Sequence, residues 1–210
     1  MLIFGDVLNN MIIAFIGLPG MGKTLGMVNE ACKSLKKGRC VEANLPIIDN
    51  IYHTKKASIM TSDIGGAVRD AKDTLICIDE ASIVLPNHYW DKLPFDVLIR
   101  FAQVRKYGLD IMYTSQGWNH TVKRLRDLTN FVVKCSNHRW WFTFEWIDPE
   151  FYEARVPSVF RKDYIVKTDI VPFWKFKDIF SSYDTMYIVQ NSLLVPNHHE
   201  KSVLLPNFDL

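Results

Sequence analysis

The eight residues Gly17-Leu18-Pro19-Gly20-Met21-Gly22-Lys23-Thr24 satisfy the pattern G-x-x-x-x-G-K-[ST]. Chemistry on a polyphosphate needs a loop whose successive N–H groups point inward. Glycine supplies the backbone angles and lets the chain approach closely. A helix opening at such a loop turns its positive end toward the β-phosphate. On this reading Gly17, Gly20, Met21, Gly22, Lys23, Thr24 and Leu25 hold ATP. Lys23 bridges the β- and γ-phosphates, and the Thr24 hydroxyl ligates Mg²⁺.

A second chemical element is Leu75-Ile76-Cys77-Ile78-Asp79-Glu80. An apolar strand delivers Asp79 to the carboxyl edge of the sheet, where ligands bind in doubly wound folds. Asp79 is expected to hold Mg²⁺ through water, and Glu80 to polarise an attacking water. Such a pair favours hydrolysis over phosphoryl transfer to a small acceptor. A third element, Tyr113-Thr114-Ser115-Gln116, ends the following strand, with the Gln116 amide placed to contact the γ-phosphate.

These residues need strands and helices in alternation, and the apolar pattern supplies them. Met11 to Ile16 reads as a buried strand running into the loop. Leu25, Val28, Cys32 and Leu35 then mark a helix closed by basic residues and Gly38. Residues 40–45 form a second strand. A helix capped by Ser62 or Asp63 carries Ile64, Val68 and Ala71, and Thr74 to Ile78 is the third strand. Pro94 opens a helix with Val97, Leu98, Phe101 and Val104 on its apolar face, stopped by Gly108. Leu109 to Ser115 is the fourth strand, residues 121–129 a helix, and Phe131 to Cys135 the fifth strand. Trp140 to Ile147 pairs back on it across Ser136–Arg139. This order predicts an α/β fold with a mainly parallel sheet flanked by helices. The expected division is an N-terminal extension (1–10), a nucleotide-binding core (11–148) and an irregular appended C-terminal segment (149–210).

The chain has 210 residues, 48% apolar and 23% charged, ordinary globular usage that excludes disorder and repeats. No apolar run reaches the 18 residues a bilayer span needs, and MLIFGDVLNN lacks the features of a secretory signal. The four cysteines share no C-x-x-C spacing, which fits a reducing cytosol better than zinc or disulfides. Residues 100–167 hold 12 Lys/Arg against 7 Asp/Glu, a bias that permits contact with a polyanion.

Beyond the phosphate motifs the chain resembles the zonula occludens toxin-like ATPases, a family that includes the filamentous-phage assembly ATPase. The resemblance covers residues 11 to about 185. It rests on the phosphate loop, Glu42-Ala43-Asn44-Leu45, Ile78-Asp79-Glu80, Arg105-Lys106-Tyr107-Gly108-Leu109-Asp110-Ile111, Thr114-Ser115-Gln116 and, weakly, Ser182-Tyr183-Asp184-Thr185. It implies a RecA-like core, a homo-oligomeric ring, DNA as partner and a host-cytoplasmic location, virion-associated or peripheral at the inner membrane. It further implies that Arg105 reaches a neighbouring subunit's γ-phosphate, with Arg100 as runner-up. Family members continue into a transmembrane helix, whereas Tyr187 to Leu210 is polar and broken by Pro196 and Pro206. A motor without its own transmembrane segment would dock on a capsid vertex or a membrane assembly protein.

Plainer readings stand beside several of these residues. Arg105 and Lys106 also suit a last helical turn, where cations complement the macrodipole. Lys123-Arg124-Leu125-Arg126 is either a solvated face or a DNA contact. Trp140, Trp141, Phe142, Phe144 and Trp146 alternate at period two, which favours core or subunit packing over base stacking. His198 and His199 carry no role. The alternative functions are a P-loop kinase and a nucleotide-gated interaction protein without turnover.

Overall fold

The computed structural model describes residues 10–89, 94–153 and 164–184. The N-terminal residues 1–9 and the stretch 185–210, with His198 and His199, lie outside the described residues.

The chain opens with β1 (Ile12–Ile16), α1 (Lys23–Lys36), β2 (Cys40–Ala43) and β3 (Ile59–Met60). It continues through α2 (Ile64–Asp70), β4 (Thr74–Ile78), α3 (Ala81–Val84), α4 (Phe95–Ala102) and β5 (Asp110–Ser115). It closes with α5 (Lys123–Asp127), β6 (Phe131–His138), β7 (Trp141–Ile147), α6 (Pro149–Glu153), β8 (Ile165–Pro172) and α7 (Phe176–Phe180). The strands form one eight-stranded sheet in the order β3-β2-β4-β5-β1-β6-β7-β8. The pairings from β3 through β6 are parallel, and β7 and β8 add antiparallel.

β1, β4 and β5 are buried along their whole length, as central strands of a parallel sheet covered on both faces must be. Alternate side chains of β1 feed two cores. Ile13 and Phe15 pack beneath α1 with Leu25, Val28, Cys32 and Leu35. Ile12, Ala14 and Ile16 face Ile64, Val68, Val97 and Phe101 on the other side. Asp63 caps α2, its carboxylate accepting the Gly66 N–H at 2.8 Å.

β3, α3 and α6 have no counterpart in the sequence expectation, and four further stretches differ from it. First, α4 ends at Ala102 rather than running to Val104, and a 3₁₀ turn over Val104–Tyr107 leads to Gly108 at φ +66°. The tighter turn brings the Tyr107 carbonyl to the Asp73 N–H at 2.9 Å, which lays the chain beside β4 before β5 begins. Second, the helix expected over 121–129 spans only Lys123–Asp127. Third, β6 continues to His138 and leaves a two-residue turn at Arg139-Trp140. The extension is fastened by Asn137, whose amide donates to the Gly20 carbonyl at 3.0 Å, and by His138 stacked on Trp141.

Fourth, residues 165–184 are regular. β8 pairs along the length of β7, and Trp146 Nε1 donates across it to Asp169 at 2.9 Å. Within α7, Ile179 is fully buried in the core beneath α1. The Ile48 N–H donates to the Ser182 carbonyl at 2.8 Å, and Tyr183 bridges Ile47.

One ion pair ties the N-terminal edges of three strands together. Arg39 donates to Asp110, a carboxylate with no exposure that also accepts the Met11 N–H at 2.6 Å. Replacing Arg39 by Met strands that buried charge. The expected loss is about 3 kcal/mol, read from chemical denaturation.

Candidate functional site

Parallel pairing in the order β4-β5-β1 brings three strand ends to one sheet edge. The glycine loop leaves β1 there, tied by the Gly17 N–H to the Ser115 carbonyl at 3.3 Å. Gly20 and Gly22 take φ of +77° and +83°, angles that L side chains adopt rarely. A Cβ on Gly22 would lie 2.6 Å from the Phe142 ring, so glycine is required by space as well as angle. Gly17 backs onto the Cys135 carbonyl, and Met21 packs half-buried against the core. The α1 helix starts at once with Lys23, which is buried and donates from Nζ to the Leu18 carbonyl at 3.3 Å. Leu25 is buried in the first turn and lines the same cavity.

The acid side of the site is a short hydrogen-bonded chain. Thr24 Oγ1 donates to Asp79 Oδ1 at 2.8 Å, and Thr114 Oγ1 donates to the same oxygen at 2.7 Å. Thr114 in turn accepts the Glu80 N–H at 2.8 Å. Asn44 clamps Asp79 from the β2 side, donating to its carbonyl at 2.9 Å and accepting its N–H at 2.7 Å. Glu80 sits at φ 49°, a strained angle for a residue with a side chain, and its Oε2 is buried with no hydrogen-bond partner among the described residues. Burial, then the Asp79 charge, pushes its carboxyl above the ordinary range; Lys23 and the Gln116 side chain pull the other way.

Lys23, Thr24, Asp79, Glu80, Phe142 and Phe180 all line one 330 Å³ cavity. The residues present fit a magnesium polyphosphate. A buried ammonium and a glycine loop without Cβ obstruction at Gly20 suit phosphate oxygens. The hydroxyl and carboxylate oxygens of Thr24 and Asp79 are the donor type a hard divalent cation takes.

The family model described as zonular occludens toxin (Zot) matches residues 11–156. The chain belongs to the Zot family. Its structure is similar to the N-terminal domain of zonular occludens toxin from Neisseria meningitidis, with TM-score 0.56 and 21% identity over 84% of this chain and 100% of that one. It is also similar to the genome packaging NTPase B204 of Sulfolobus turreted icosahedral virus 2. The sulfate complex gives TM-score 0.50 and 11% identity over 79% of this chain and 96% of that one. The AMP complex gives TM-score 0.50 and 11% identity over 69% and 95%. These likenesses establish the P-loop NTPase fold. Comparison with curated proteins returned no match.

In this Zot-family chain the other expected site residues fall in different places. Gln116 directly follows β5 at the same edge as Asp79 and is exposed. Arg105 is exposed at the opposite edge of the sheet, in a groove with Arg39, Lys72, Asp73 and Tyr107. It precedes β5 whereas the phosphate loop follows the parallel β1, so it does not join its own subunit's site. Arg100 is engaged within the chain, its guanidinium 3.6 Å over the Tyr107 ring and donating to the Ala71 carbonyl. Lys123 and Arg124 are exposed, while Arg126 donates to Asn119 at 2.8 Å. Phe142, Phe144 and Trp146 are buried in the core, and Trp140 and Trp141 are exposed. Among the described residues no helix is long and apolar enough to cross a membrane.

Asn44 and Tyr183 belong to stretches that carry the family resemblance but have no role in the sequence expectation, and Phe180 has no place in it. The available signal for Asn44 was a polar residue ending a strand, like Asp79 and Thr114. Its two bonds are buried, so Asn44→Ala is expected to cost about 1–3 kcal/mol in denaturation and to weaken Mg²⁺-dependent nucleotide binding. Asn44→Asp should not rescue, since a carboxylate cannot donate to the Asp79 carbonyl.

Proposed function

We propose that this chain is an ATP-hydrolysing motor of phage virion assembly that couples hydrolysis to DNA translocation, in genome packaging or virion export. The observation that carries the reading is the convergence of Lys23, Thr24, Asp79 and the orphaned Glu80 carboxylate on one cavity. Family membership supports the phage setting, as does the fold shared with a viral genome packaging NTPase.

Lys23 and the loop N–H groups hold the phosphates. Thr24 and Asp79 would hold Mg²⁺, which when bound neutralises charge on the phosphate oxygens. Glu80 has an oxygen free to accept a hydrogen bond from water and, as a carboxylate, to take its proton. Thr114 fixes the Glu80 backbone, and Gln116 stands beside it to contact the γ-phosphate. Arg105 acts on a neighbouring subunit in a homo-oligomeric ring. The ring works in the host cytoplasm and docks on a capsid vertex or a membrane assembly protein.

Translocation is tested by displacement of a third strand from a DNA triplex. Displacement that needs ATP and is abolished by Lys23→Ala is expected. Displacement that persists without nucleotide, or is absent despite ATP turnover, would contradict the coupling.

A further inference from the structure

The cavity has an apolar wall that phosphate chemistry does not use. Phe180, 41% exposed, lines the cavity together with Lys23, Asp79 and Glu80. Its position is fixed from several sides. Ile179 beside it is fully buried beneath α1. Ser182 accepts the Ile48 N–H on its carbonyl, accepts the Asn50 N–H on its hydroxyl and donates that hydroxyl to the Asp178 carbonyl. The Asn50 amide donates to the Ser181 carbonyl at 2.5 Å. Tyr183 packs 6.2 Å from Phe180, ring centre to ring centre, and Phe142 closes the loop side. An aromatic ring on an anchored helix, lining the same cavity as phosphate-binding groups, matches one kind of ligand, a flat apolar ring joined covalently to phosphates.

We propose that Phe180 is the stacking platform for the base of the bound nucleotide, making the end of the C-terminal run part of the substrate site. This rests on the nucleotide-binding reading above. A phenyl ring offers no hydrogen bonds, so Phe180 holds a base without choosing among purines.

Two ligands separate base from phosphate: ATP and inorganic tripolyphosphate, each with Mg²⁺, titrated calorimetrically against the full chain. Wild type is expected to bind ATP more tightly than tripolyphosphate. Phe180→Ala should weaken ATP about tenfold, within the range of a stacked base, and change tripolyphosphate less than about twofold. Phe180→Trp should restore ATP affinity, which a merely structural role would not produce. Equal losses for both ligands, or no loss for either, would overturn the proposal, as would equal wild-type affinities for ATP and tripolyphosphate. Wild type that binds neither ligand would overturn the nucleotide reading itself, and the base platform with it.

Discussion

Arg105→Ala chains mixed with Lys23→Ala chains should recover ATP hydrolysis that neither variant shows alone. Arg105 stands at the sheet edge opposite the phosphate loop and precedes β5, so its own site is out of reach. A guanidinium there can act only on another copy. In a mixed ring some interfaces pair an intact Lys23 with an intact Arg105, and those interfaces turn over. The Arg105→Ala ring by itself should bind ATP nearly normally and lose about 10³-fold or more in rate, because the guanidinium meets charge that develops as the phosphoryl group leaves. The check is phosphate release from mixtures whose co-assembly is shown by native mass. Co-assembled mixtures no more active than either variant would leave Arg105 as a helix-end cation.

Lys23→Ala and Glu80→Gln should fail in different ways. On the proposed reading Lys23 holds the phosphates before any reaction, so its loss should weaken ATP binding by about 10- to 100-fold, the worth of one charge-assisted hydrogen bond. Glu80→Gln keeps the size of the side chain and removes the proton acceptor. It should bind ATP and Mg²⁺ almost normally while turnover falls about 10²- to 10⁴-fold. Binding and single-turnover rates measured on the same preparations separate the two. A Glu80→Gln enzyme keeping more than about a tenth of its turnover would remove Glu80 from the water-activating role.

The loop and the first acid pair were legible because their signals are local. A buried parallel strand is a largely apolar run, and Ile12–Ile16 and Thr74–Ile78 are such runs, each leading into the residues proposed to do chemistry. Asn44 was not legible because its partner lies 35 residues on and meets it only once β2 pairs with β4. β8 hid for a different reason. Its inward positions mix Ile165 and Val171 with Lys167 and Asp169, paired at 2.7 Å against Trp146, while Val166 and Ile170 face out. Apolar residues on both faces and charges on the inner one blur the amphipathic alternation that marks a strand. Phe180 and Tyr183 followed β8 into the same blind stretch, so an aromatic wall of the cavity went unassigned.

The most direct test is steady-state phosphate release from ATP and Mg²⁺, measured with and without DNA, with Lys23→Ala as the blank. Turnover above the blank that rises when DNA is added is the expected result. Nucleotide bound without turnover, or turnover indifferent to DNA, would contradict a DNA-coupled motor.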